Sequence, residues 1–589
     1  MPREKNKQTR TGYERLPIII GYDGEVANYI EGLDLPNGTG KEAARKIIRE
    51  IKGYPDYADR FLRNCPCDAC DTHRRRRSHG GWGGQFGQSG WVGYNEYGGQ
   101  DGYGHYNGWS AIAASALSDL SETADTRQSD YDPRDHDRRY LAATGGCIYI
   151  DLDHIELCLP EARSAFDHVA CWHASLRILR QALDAANNKM PEGQKIHVLI
   201  NNSDGFNHSY GTHMNFLVTR KCWSEIFERR MQYLLYLAAY QVSSIIFTGQ
   251  GKVGSENRCP HVDFQISQRA DFFEQLTGQQ TTYARPIVNS RDEPLCGTRE
   301  FLRAHPDGPE ARMARLHVIF YDATLCHVST FLKAGVMQII LAMIEAGNVN
   351  LKLILEDPIT ALKVWSHDPA LRSKARMCSG RATTAVDLQS RFVDEAKRFV
   401  DRGGCEGIVP HAGDIMSVWA DTIEKLRARD YPALSRRLDW VLKKTLLEEV
   451  LEDNPQMDWT HAAIKQLDHF YSSLDLDEGL FWSFESDDHI ERMVSESDIE
   501  RFVSNPPLGT RAHRRAFLLG SAREGRVSAV DWDHIEFVDG EDESTFEHRT
   551  VDLANPIETP LMSECRDLIK RTFDSEVIDG TLAAVRQHH

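Results

Sequence analysis

Acidic residues recur in this chain at a spacing of two. Asp23 and Glu25 sit in Gly21-Tyr22-Asp23-Gly24-Glu25. Asp151 and Asp153 sit in Tyr149-Ile150-Asp151-Leu152-Asp153-His154-Ile155-Glu156, with His154 and Glu156 close behind. Both segments read as places where strands run out, and the strand period of two sets each pair of carboxylates on one face. Carboxylates so close repel one another and stay ionised together only with a cation between them. An all-oxygen set of this kind suits magnesium, commonly shared with nucleotide phosphates. One pair alone is equally well a solvated strand end; a second pair makes that reading less comfortable.

Other segments bring polar groups of different kinds. His213 and Asn215 stand two apart in Ser209-Tyr210-Gly211-Thr212-His213-Met214-Asn215, where either could meet a metal or a phosphate. Phe247 to Gly254 (FTGQGKVG) is a glycine-rich turn with a lysine, but it lacks the GxxxxGK[ST] spacing of a P-loop. Arginines gather around Arg269, Arg285 and Arg291, and Arg315-Leu316-His317 leads into an apolar strand; guanidinium forks suit phosphate or carboxylate. No GxSxG elbow appears and no cysteine sits in a Cys/His protease context, so serine or cysteine nucleophiles have no support. Cys65, Cys67, Cys70 and His73 offer zinc-type donors at a spacing that matches no standard finger.

The elements that must position these groups are legible in outline. Leu16 to Gly21 predicts a short buried strand and Lys41 to Ile51 an amphipathic helix. Gly80 to Trp109 holds twelve glycines and eight aromatics in thirty residues, so about 64–137 reads as a mostly irregular insertion with one short helix at Ala111 to Leu120. Strand-like runs at Cys147 to Leu152, Ile196 to Asn201, Asn215 to Thr219 and His317 to Tyr321 then alternate with helical runs at Ala162 to Asn187, Ser224 to Gln241 and Ser329 to Ala346. Beyond Asp414 the pattern is helical to about Ser473. The sum is an α/β or α+β core around one sizeable sheet.

Composition sets the outer bounds. With 69 Lys+Arg against 87 Asp+Glu in 589 residues, the net charge is 69 − 87 = −18, which argues against a general nucleic-acid or anionic-membrane binder. Hydrophobic residues at 41% and charged residues at 26% are enough for a large core. Thirteen cysteines, an odd number, suit reduced thiols. No uninterrupted apolar run reaches the roughly 18 to 20 residues of a bilayer span, and the first fifteen residues are polar and basic, so a cytoplasmic location is expected.

In their order along the chain, these segments resemble the Pup ligase and Pup deamidase/depupylase family, carboxylate-amine ligase relatives with a glutamine-synthetase-like fold. GYDGE resembles the family's opening strand and GGCIYIDLDHIELCLPE the segment of its catalytic aspartate. NNSDGFNHSYGTHMNF, FTGQGKVG, FQISQRADFFEQLTGQQTTYARPIVNSRDEP, RLHVIFYDATL, RRLDWVLKKTLL and NPPLGTRAHRRAFLL follow. The resemblance implies an α+β fold: a basic leader at 1–15, a catalytic domain at 16–410 with a curved, mainly antiparallel sheet packed by helices, and a smaller C-terminal domain at 411–589. It implies metal-shell roles for Asp23, Glu25, Glu156 and His213, with His317 a further candidate. Asp151 would be the catalytic aspartate, and Asn215, Arg291 and Arg315 nucleotide or phosphate contacts. ATP (or ADP with phosphate) and Mg2+ would be the cofactors, and a Pup-like modifier with its lysine-linked conjugates the partner.

FTGQGKVG, FQISQRADFFE and the position of the large insertion resemble the hydrolase (depupylase) branch, which implies cleavage of a C-terminal glutamine amide or of an isopeptide bond. The ligase reaction is the runner-up and a catalytically degenerate, modifier-binding homologue the third reading. Three positions depart from the family pattern. The first acid is the shorter Asp23, HEN is HMN with Met214 replacing a carboxylate, and DAN is DAT at Asp322 to Thr324. Fewer carboxylates imply weaker magnesium binding.

Overall fold

The computed structural model describes residues 15–36, 38–54, 138–203, 209–256, 259–296, 310–522, 526–539 and 547–557. The leader, the Gly/aromatic insertion and the Cys65/Cys67/Cys70/His73 group lie outside the described residues.

One seven-stranded sheet organises the molecule, and every pairing in it is antiparallel. Its strands are β1 (Ile20–Glu31), β2 (Arg138–Tyr140), β3 (Cys147–Asp151), β4 (His154–Ala162), β5 (Lys195–Leu199), β6 (Thr212–Thr219) and β7 (Met313–Tyr321). The order is β7-β6-β1-β4-β3-β2, with β5 on the distal half of β1. The α+β class with a mainly antiparallel sheet is therefore the observed one.

Alternation along the strands divides the sheet into two chemically different faces. Tyr22, Val26, Ile155, Leu157, Met214, Phe216, Leu316 and Val318 point into one large core. That core is completed by α1 (Gly40–Ile48), α2 (Ala165–Asn187), α3 (Met231–Thr248) and α4 (His327–Glu345). Farther out it takes in α5 (Ala385–Asp401), α6 (Ala412–Ala428), α7 (Asp439–Asp453), α8 (Ala462–Ser472) and α9 (Glu496–Ser504). Ser164 starts α2 by accepting the Asp167 N–H at 3.0 Å, a standard N-cap. By length and composition α4 could span a membrane, but its residues from His327 to Ile344 are all buried in this core. The described cysteines are all free thiols.

The other face is polar, and the C-terminal part of the chain covers one edge of it. Helix α10 (Arg511–Ser521) and a three-stranded sheet (Val527–Val530, His534–Asp539, Glu547–Asp552) pack Leu518, Leu519, Ile535, Phe537 and Val551 against Tyr140, Cys147 and Cys158.

Two sequence expectations are corrected here. The predicted strand at Leu16 to Gly21 begins only at Ile20 and runs to Glu31, so Asp23 and Glu25 lie inside a strand, not past its end. Likewise Glu156 lies within β4, a strand hidden in the sequence by Pro160, which is accommodated where the register of β1 and β4 slips between Leu159 and Ala162.

Candidate functional site

Register decides what the polar face brings together. Asp23 lies opposite His213, and Gly21 opposite Asn215. Asn215 in turn faces His317, Glu25 faces Glu156, and Glu156 faces Tyr149. Directly opposed residues share a face, so eight of the nine singled-out residues, all but Arg291, stand on this one surface. The segments they come from are separated by up to about 290 residues.

The residues given metal-shell roles by the resemblance fall, with Asp151, into two neighbouring groups. Donor atoms of Asp23, His213 and His317 lie within 4.8 Å of one another, and so do those of Glu25, Asp151 and Glu156. The first is a mixed nitrogen and oxygen set; the second is all carboxylate, the chemistry of a hard ion such as magnesium.

Asn215 is the hub of the first group. Its Nδ2 donates to Asp23 Oδ1, and its Oδ1 accepts from Arg315 Nη1 at 2.9 Å and lies 2.7 Å from His317 Nδ1. An amide oxygen can only accept, so His317 carries its proton on Nδ1 and keeps Nε2 free as a ligand. His213 Nδ1 lies 3.2 Å from Asp23 Oδ2. Burial, then the charges of Arg315 and His213, holds His317 well below the usual histidine range, so its ring is neutral. Arg315 is itself anchored on the Glu293 carbonyl at 2.6 Å. Arg291, in the loop after the strand Arg285–Asn289, is close enough for its charge to bear on both Arg315 and His317.

The second group is held less completely. Glu25 Oε2 accepts the Gly211 N–H at 3.1 Å. Burial and the Asp151 charge raise Glu25 to about 8. Glu156 is raised well above the usual glutamate value by burial and by Asp23, Glu25 and Asp151. Arg269 and Arg285 are close enough for their charges to bear on Glu25, yet neither glutamate has a salt-bridge partner among the described residues, and carboxyls that retain protons for that reason are a donor set a divalent cation fits. Asp151 ends β3 and is exposed, followed by a tight turn in which Leu152 adopts φ +53°. A left-handed leucine costs roughly 1 kcal/mol or more, and here it sits beside the exposed acid.

A pocket opens next to Asp23, Asn215 and Arg315, walled by Ile19, Leu159, Cys296 and Trp532. It combines apolar walls with Asp23, Asn215 and Arg315 at one side, and Arg138, Glu161 and Arg511 line it as well.

Two expected departures prove to be of a different kind. Met214 is fully buried on the core face, opposite in direction to His213 and Asn215, so its lack of a carboxylate removes nothing from either group. Thr324 and Asp322 are also buried away from the groups. Asp322 accepts the Gln250 and Gln268 N–H groups and the Ser267 hydroxyl, while the Thr324 hydroxyl accepts from Lys333 Nζ at 3.0 Å. Sequence reasoning missed the Gly211 N–H and did not assign Arg269 a place. Its guanidinium lies against Gly211, where a Cβ would come within 2.7 Å of it, and this close approach requires glycine.

One antiparallel sheet with a polar face, closed by a C-terminal unit, defines an α+β scaffold. Two solved structures share this fold. The complex of Pup with its ligase PafA has TM-score 0.67 and 20% identity, covering 94% of this chain and 92% of that one. PafA in complex with ADP has TM-score 0.63 and 22% identity, covering 82% and 97%. Residues 96–536 match the Pup-ligase protein family, and the chain belongs to it. The depupylase of Acidothermus cellulolyticus is 34% identical over 400 residues, 67% of this chain and 75% of the relative. The Pup–protein ligase of Acidimicrobium ferrooxidans is also 34% identical over 400 residues, 67% and 83%. Both names thus occur among relatives at equal similarity.

Proposed function

We propose that the protein is an ATP- and magnesium-dependent amidohydrolase of the depupylase type, acting on the C-terminal glutamine amide of a Pup-like modifier or on its isopeptide bond to a substrate lysine. The observation that carries this reading is the pair of donor groups on one sheet face, next to a pocket, in a chain of this family. Magnesium would be held by Glu25 and Glu156, while Asp23, His213 and His317, a mixed nitrogen and oxygen set, would hold a second divalent ion. Bound there with a nucleotide, it would supply positive charge for phosphate and for the oxyanion of an attacked amide. A related ligase of the same fold was solved with ADP, and the pocket beside Arg315 and Asn215 is where we place the nucleotide, with Arg291 nearby.

Asp151 is the residue we assign to the reaction. It is exposed at the tip of its hairpin, within reach of Glu25 and Glu156, and free to meet a substrate carbonyl. It would either take a proton from the attacking water or attack the amide carbon itself, releasing ammonia or the lysine amine and leaving an acyl group for water to remove. Asn215 and Arg315 would fix the imidazole of His317 and the Asp23 carboxylate in position.

Ligation is the second reading, favoured by the equal similarity to a relative named Pup–protein ligase. The test is incubation of the protein with ATP, Mg2+ and a modifier ending in glutamine, following ammonia, and with one ending in glutamate plus a lysine-bearing acceptor, following ADP and conjugate. Ammonia release without matching ADP supports the hydrolase; conjugate with stoichiometric ADP supports the ligase and overturns it. Asp151→Asn should lower turnover by at least about a hundredfold while nucleotide affinity, read by calorimetry, stays within about threefold. Equal turnover removes Asp151 from the role.

A further inference from the structure

Far from the polar face, the core contains another set of ligand-type side chains. His173 on α2, His327 at the start of α4 and Glu485 on the short helix Leu480–Ser486 bring one donor atom each to within 4.8 Å of one another. His173 is 3% exposed and His327 not at all. Their rings stand 4.2 Å apart, tilted by 34°. His327 Nε2 lies 3.3 Å from Glu485 Oε1. Ligands bonded at 2.0 to 2.1 Å around a tetrahedral ion are themselves roughly 3.3 Å apart, so this spacing is the one an ion between them would impose.

A hydrogen bond from His327 to Glu485 would account for that distance equally well. It does not account for His173, whose Nε2 is buried and has no hydrogen-bond partner. Buried polar nitrogens are rarely left so. His173 stands beside the other imidazole and the carboxylate, with Arg177 and Arg492 close enough for their charges to bear on it, and a cation held by all three donors would satisfy its ring nitrogen.

We propose that His173, His327 and Glu485 form a buried site for a zinc-class divalent ion, tying α2 and α4 to the helix Leu480–Ser486. Two imidazoles and one carboxylate select zinc or its neighbours over magnesium, which prefers oxygen alone. Two features oppose the ion. Arg492 lies 3.5 Å from Glu485 Oε1 and competes for that oxygen. The Met493 N–H points at His327 Nδ1 at 3.4 Å, the atom that must carry the proton once Nε2 binds metal. That contact is at the limit of a hydrogen bond. The site's role would be structural, and it does not depend on the reading of the polar face.

The full chain, stripped with chelator, is loaded with zinc in excess Mg2+ and freed of unbound metal, and zinc per chain is measured in wild type and His173→Gln. Zinc taken up by the cysteine-rich segment or by His213 and His317 is common to both and cancels. One zinc fewer in His173→Gln is expected, with a zinc-dependent rise of several degrees in melting temperature that is smaller in the variant. Equal zinc content overturns the site. Should His173→Gln not fold, Glu485→Gln serves in its place. Absence of any zinc-dependent rise in wild type overturns the proposal whatever the variants do.

Discussion

Two glutamates on the same strand, five residues apart, have opposite fates. Glu156 and Glu161 are both buried in β4, at 4% and 7% exposure. Glu161 accepts from Arg511 Nε at 2.6 Å and from Arg515 Nη2 and Nη1 at 2.9 and 3.2 Å. Burial alone would raise it, yet the two arginines hold it at about 2. Glu156 meets Glu25 across the ladder and the charges of Asp23 and Asp151, and is raised well above the usual value. The chain supplies its own cations to one carboxylate, sending α10 back over some 350 residues of sequence to do so, and withholds them from the other. A paired buried charge is a staple; an unpaired one, kept next to further acids, is on the reading proposed above a place for a ligand.

The contrast makes opposite predictions for removing each charge. Glu161→Ala leaves two arginines buried without a counter-ion, and a loss of about 3–5 kcal/mol in unfolding free energy by urea titration is expected. A loss below about 1 kcal/mol would show that the arginines find other partners and that Glu161 is no staple. Glu156→Gln instead puts a neutral amide where the carboxyl already holds its proton, and removes the charge it would carry at higher pH. The metal-free protein should be as stable as wild type or up to about 1 kcal/mol more so, while the Mg2+-dependent rise in melting temperature disappears. If Glu156→Gln destabilises as much as Glu161→Ala, the two glutamates play the same part and the contrast is broken.

Much of this was readable before the coordinates, and for a definite reason. The spacing of two in Asp23/Glu25, His213/Asn215 and Arg315/His317 survives in any strand, so these pairs announced a common face. Helices such as Ala165–Asn187 and His327–Glu345 were legible within a few residues from their apolar runs. Register was not legible, because nothing in a strand says which residue of a distant strand will lie opposite; hence the division of the acids and histidines into two groups could not be foreseen. Met214 misled because motif comparison counts a missing acid without asking which face it left. Arg511 and Arg515 lie beyond any local pattern, and β1 was underestimated because glycines and acids on its polar face interrupt the apolar run that marks a strand.

A smaller effect tests the same contrast through pH. Glu25 has a folded value of about 8 against 4.5 for an ordinary glutamate, so between those values the folded state binds a proton the unfolded chain does not. The stability that proton confers is fully present below the unfolded value and is lost as pH rises through about 8. Glu161, lowered to about 2, behaves inversely: its contribution is present above 4.5 and disappears only in acid. Metal-free wild type should therefore melt a few degrees lower at about pH 8 than at about pH 6, and Glu25→Gln should flatten the difference. Magnesium should flatten it too, since the ion takes the place of the proton, and calorimetry in buffers of different ionisation enthalpy should record proton release on Mg2+ binding near neutrality. A metal-free protein that melts no lower at the higher pH would mean that the carboxylates on this face already have a cation among the chain's own side chains, and the space between them would not be waiting for one.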